Sequence, residues 1–128
     1  EFMSTERVLF AFVIVLALTL NVGFIVGDIA DIHHHNVYEL FAAIVVSLIA
    51  TVMKFGDRSA LGSTMLATSL IADLQLIAAA VAWGLYSQSG AELGVHQTVT
   101  VVSLAIGAAV ANVVSVVLLI IEMANLRR

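Results

Sequence analysis

Hydrophobic positions fill four long blocks of this chain, and three short polar stretches separate them. The blocks cover about residues 7–27, 37–54, 61–86 and 97–124. A helix needs about 20 mainly apolar residues, rising about 1.5 Å each, to cross the hydrocarbon core of a bilayer. All four qualify by length and composition, although 37–54 is short for a perpendicular span. The breaks between them are too short for anything but a return in the opposite direction, so sequential helices should be antiparallel neighbours. The pattern predicts an all-α polytopic membrane protein, an antiparallel bundle of four transmembrane helices.

Composition agrees. The chain is 62% hydrophobic and 11% charged, against roughly 45–50% and about 25% in soluble domains. It has no cysteine, which removes disulfide and thiolate chemistry. Glu1 and Phe2 precede Met3 and read as a cloning scar, leaving 3–128 as one transmembrane domain. The first block has no small-residue cleavage site behind it, so it reads as a retained helix and not as a signal peptide.

The charges orient the bundle. Arg7, Lys54, Arg58, Arg127 and Arg128 are the five basic residues, and this topology collects them on one side. By the positive-inside rule both termini and the central loop should be cytoplasmic. Tyr38, Trp83 and Tyr86 then fall at the outer interface, where aromatic residues form a belt. The outer side carries Asp28, Asp31, Glu39, Glu92 and all four histidines, with no Lys or Arg. A negative mouth concentrates cations; equally, sorting of basic residues inward leaves acids outside by default. The chain's net charge of −4 offers no surface for nucleic acid.

Small residues recur at helical spacing: Thr19, Gly23 and Gly27 in the first block, Ser103, Gly107, Ala111 and Ser115 in the fourth, and Gly62, Ser69, Ala80 and Gly84 around Asp73 in the third. Such stripes let membrane helices approach closely, within one chain or between copies.

Four groups of polar residues could carry chemistry. Asn36 and Glu39 have the spacing of a capping box at the start of the second helix. Glu39 also heads a stripe with Ala43, Ser47, Ala50, Thr51 and Lys54, which share about a third of the helix circumference. Such a face could line a pore; alternatively Ser47 and Thr51 bond back to their own helix and Lys54 snorkels to the headgroups. His33, His34 and His35 with Asp28 and Asp31 offer ligands for a divalent metal such as zinc, or a pH sensor, or simply a solvated loop. Asp73 lies near the bilayer centre, where an acid costs on the order of 2.5–3.5 kcal/mol. Its expected partners are Asn112 and Ser69, with Asn21 nearer the outer end. It reads either as a hydrogen-bonded lock of the bundle or as an ion or proton site.

The run "NVYELFAAIVVSLIATVMKFGDRSALGSTMLATSLIADLQLIAAAVAWG", with "LALTLNVGF" in the first block, resembles a family of small bacterial inner-membrane proteins of unknown function. The resemblance implies a compact four-helix protein of the bacterial inner membrane and no established activity. The residues themselves point first to a homo-oligomeric, tetrameric cation-channel-like protein. Glu39, Ser47 and Thr51 would line its path, and monovalent or divalent cations would enter by an acidic, His-rich mouth. The alternatives are a small proton-coupled transporter working through Asp73, and a non-transporting assembly subunit. No enzyme is expected, since an intramembrane aspartyl protease needs two deep acids. No cofactor is implied beyond a metal at the outer loop.

Overall fold

The structure, a computed structural model, describes residues 5–126. Residues 1–4, which include the expected scar at 1–2, and Arg127 and Arg128 lie outside the described residues. Four α-helices follow one another: α1 (Thr5–Ile25), α2 (Val37–Lys54), α3 (Ala60–Tyr86) and α4 (Val95–Leu126). The chain is all-helical, and all four helices are long and apolar enough to cross a membrane. Only 28% to 39% of each span is buried inside the bundle. The remainder is mostly Val, Leu, Ile and Phe, exposed on every helix. A helix that is apolar all round needs an apolar solvent on its outer face, so this is a membrane protein.

The helices close a ring in which α1 packs on α2, α2 on α3, α3 on α4 and α4 back on α1, with α3–α4 the most extensive contact. One end of the bundle holds the start of α1, the α2–α3 turn and the end of α4 (the terminal end). The other holds the 26–36 and 87–94 connections (the loop end).

Local signals set the boundaries. Gly27 has φ of 108°, a conformation that glycine enters at little cost, and α1 stops two residues before it. A short 3₁₀ turn, Ile32–His34, follows. Asn36 caps α2 by accepting from the Tyr38 amide at 2.8 Å, and Ser59 caps α3 by accepting from the Gly62 amide at 3.0 Å. The capping box is half made. The Glu39 carboxylate does not return to Asn36 but lies over Gly23 of α1, which has no side chain to keep it away.

The interior has two apolar clusters. Toward the loop end Phe24, Leu40, Leu76 and Val101 pack with six buried alanines. Toward the terminal end Phe10, Ile14, Ala50, Met65 and Leu119 pack together. Polar side chains sit between and around them.

Candidate functional site

Asp73 is the midpoint residue of α3 and is 5% exposed. The stripe on α2 turns inward to meet it. Ser47 Oγ donates to Asp73 Oδ1 at 2.6 Å, and Thr51 Oγ1 lies 2.5 Å from Oδ2. Thr51 Oγ1 also lies 3.0 Å from the Ser47 carbonyl oxygen. Ser47 and Thr51 are one turn apart, so two successive inward positions of α2 grip one carboxyl of α3. The back-bond expected of Thr51 is present, but the carboxyl is its second neighbour.

These partners correct the expected ones. Ser69 and Asn112 are fully buried, yet Ser69 Oγ and Asn112 Oδ1 have no hydrogen-bond partner among the described residues. Thr68 meets Ser115 through their hydroxyls across the α3–α4 contact, which puts Asn112, one turn closer to the loop end, near the depth of Asp73. Asn21 serves α4 instead: with its amide turned to suit its neighbours, its nitrogen donates to Ala105 O at 2.9 Å and its oxygen accepts from Ala109 N at 3.0 Å.

Donors and acceptors around Asp73 can be counted. Three short contacts join the carboxyl, the two hydroxyls and the Ser47 carbonyl. Each hydroxyl supplies one hydrogen, so two hydrogens serve three contacts. Ser47 donates to Oδ1 and Thr51 shares its hydrogen between Oδ2 and the Ser47 carbonyl; a proton on the carboxyl would instead let Oδ2 donate to Thr51 and free the Thr51 hydrogen for the carbonyl. Without that proton, one Thr51 hydrogen is shared by the carboxylate and its own helix.

At the terminal end of the stripe Lys54 does not snorkel outward. It is 7% exposed, its Nζ lies 4.3 Å from the centre of the Phe10 ring, and Asp57 Oδ2 is 3.7 Å away. A cavity of about 130 Å³ opens there, lined by Arg7, Phe10, Lys54, Asp57 and Glu122 among others. Arg7 Nε is 3.7 Å from Glu122 Oε1. The Ser59 hydroxyl and amide, with Lys54 beside them, hold the Asp57 carboxyl below the usual carboxylate range.

The loop-end residues separate. Among the described residues, no three His, Asp or Glu side chains converge well enough to hold a metal ion. His33 Nε2 faces Glu92 at 3.2 Å, both exposed. His34 Nδ1 accepts from the Asp28 amide at 2.7 Å, and its Nε2 is 3.5 Å from Asp31. His35 is buried and faces backbone. Asp28 and Asp31 use their carboxylates on the amides of Ala30 and His33 at 2.9 Å. The physical reason is directional: three consecutive residues in a tight turn point to three different neighbours.

The inward stripe has a consequence for the expected pore. Ser47 and Thr51 are buried inside a single chain, while the outer face of α2 is Val45, Leu48, Ile49 and Val52. In this arrangement the two hydroxyls line no path between copies. What the sequence reading missed was this pairing of stripe with acid. Each was visible by itself, and an antiparallel α2–α3 hairpin does bring their depths together.

A family model described as "Family of unknown function (DUF6394)" matches residues 34–123, which include α2, α3, most of α4 and the Asp73 cluster. No curated protein and no solved structure gives a match.

Proposed function

Since the chain belongs to this family of unknown function, we propose from its own geometry that it is a small proton-coupled membrane transporter with Asp73 as the exchange group. What supports this reading is a buried carboxyl held by the hydroxyls of Ser47 and Thr51, with Thr51 Oγ1 also 3.0 Å from the Ser47 carbonyl oxygen; a proton on the carboxyl would satisfy all three contacts without sharing a hydrogen. A buried acid at mid-membrane depth costs several kcal/mol unless neutral or paired, and no Lys, Arg or His bonds to it among the described residues. Release of the proton leaves an anion between two hydroxyls. That anion attracts a proton or another cation from whichever side then admits water.

The apolar clusters above and below support the same reading. Phe24, Leu40 and Leu76 close the loop-end side, and Phe10, Ile14 and Met65 close the terminal side. Such an arrangement corresponds to an occluded state, and alternating access needs one plug to open at a time. The cavity at Lys54, one turn beyond Thr51, supplies the approach from the terminal end.

The test is proton flux in proteoliposomes under an imposed potential. Wild-type protein should move protons, and Asp73→Asn should keep its fold and lose the flux, because an amide cannot titrate. Full flux in a folded Asp73→Asn protein would leave Asp73 as a bundle lock alone.

A further inference from the structure

His35 differs from the other loop histidines in being buried, at 5% exposure. Its Nδ1 lies 2.7 Å from the Phe24 carbonyl oxygen and its Nε2 2.9 Å from the Asp28 carbonyl oxygen. Carbonyl oxygens only accept. A neutral imidazole has one N–H and would turn a lone pair on one of the two oxygens; an imidazolium donates to both. Phe24 O belongs to the last turn of α1, whose carbonyls lack helical partners and form the negative end of the helix dipole. The His35 ring also packs on the Phe24 ring, with centroids 5.6 Å apart.

Its neighbour has the opposite requirement. His34 Nδ1 accepts from the Asp28 amide, so that nitrogen carries no hydrogen. Two adjacent histidines thus hold the same residue, Asp28, one through its amide and one through its carbonyl. The titratable groups at this end are Asp28, Asp31, His33 and His34 of the same connection, Tyr38 and Glu39 of α2, Tyr86 of α3, Glu92 of the 87–94 connection and His96 of α4. Among the described residues no Lys or Arg lies there.

We propose that His35 is a proton-operated latch that ties the 26–36 connection to the end of α1. Protonated, it bridges Phe24 and Asp28. Deprotonated, it gives up one carbonyl and frees the connection. Gain of the proton thus closes the latch and its loss opens it, because two carbonyl oxygens need two N–H donors.

The experiment isolates His35 by replacing the other three histidines (His33→Gln, His34→Gln, His96→Gln) and places a spin label at Ile29→Cys, in a chain with no native cysteine. In lipid nanodiscs the label should be immobilised at about pH 5.5 and mobile at about pH 8. Adding His35→Gln should remove the pH dependence. A label indifferent to pH, or a transition that survives His35→Gln, would overturn the latch. Nitrogen-15 spectra of the triple-Gln protein, in which His35 is the one remaining histidine, need no folded variant of His35. They should give two protonated ring nitrogens in the closed state; a neutral ring there would overturn the proposal as well.

Discussion

Thr51 is the residue whose removal separates the two jobs of the buried cluster. Its hydroxyl serves both Asp73 and the Ser47 carbonyl, so Thr51→Val deletes two contacts while keeping the shape. Polar contacts between membrane helices are worth about 0.6 kcal/mol on average and up to about 1.7. Thr51→Val should lower stability within that range and slow proton flux, whereas Thr51→Ser should restore both; refolding titrations and flux on the same preparations check this. Asp57 makes a separate prediction at the terminal end. Its folded pKa is depressed by Ser59 and Lys54, below an unfolded value of about 3.9. Its stabilisation is therefore full above the unfolded value and is lost as pH falls through the folded one. Melting curves from about pH 6 down to about pH 3 should lose part of their acid limb in Asp57→Asn. At this scale the sequence was readable for Asp73, because an acid amid apolar residues needs a partner, but the partner was not. Spacing along α3 ranks Ser69 on the same face, and nothing in it says which α2 hydroxyls arrive opposite. Lys54 was misread for a related reason: a basic residue at a helix end usually snorkels, and here the Phe10 ring and Asp57 draw it inward.

Helix extents were the most readable feature, since hydropathy alone decides them. α2 occupies 37–54 as the pattern predicts, α3 starts one residue earlier, and α4 extends by two residues at each end. α1 ends at Ile25 and not at Gly27, because Gly27 takes a positive φ beside the His34 ring. The small-residue stripes were only partly informative. Gly62 is buried, and a methyl there would collide with the Asp57 carboxylate, whereas Gly84 faces open space. Asp57 is held by Ser59 and Lys54 and cannot move without breaking those contacts. Gly62→Ala should therefore destabilise by about 1–3 kcal/mol, the usual cost of overpacking. Gly84→Ala should stabilise by about 0.5–1 kcal/mol through helix entropy. Thermal melts of the two variants in one detergent check both signs.

For the whole molecule, enclosing the polar cluster within one chain bears on oligomeric state. The expected path between copies needed the α2 stripe on the outside; the stripe is inside, so the proposed exchange site is complete in a single bundle. Reconstituted at falling protein-to-lipid ratio, the share of active vesicles should follow the statistics of one chain per vesicle. A steep fall that requires four copies would return the path to an oligomer axis. The central claim is the proton on Asp73, and infrared difference spectroscopy measures it most directly. Protein in lipid should give a carboxylic C=O band that shifts in deuterated water and disappears in Asp73→Asn. Absence of that band, or its persistence in a folded Asp73→Asn protein, would contradict the account.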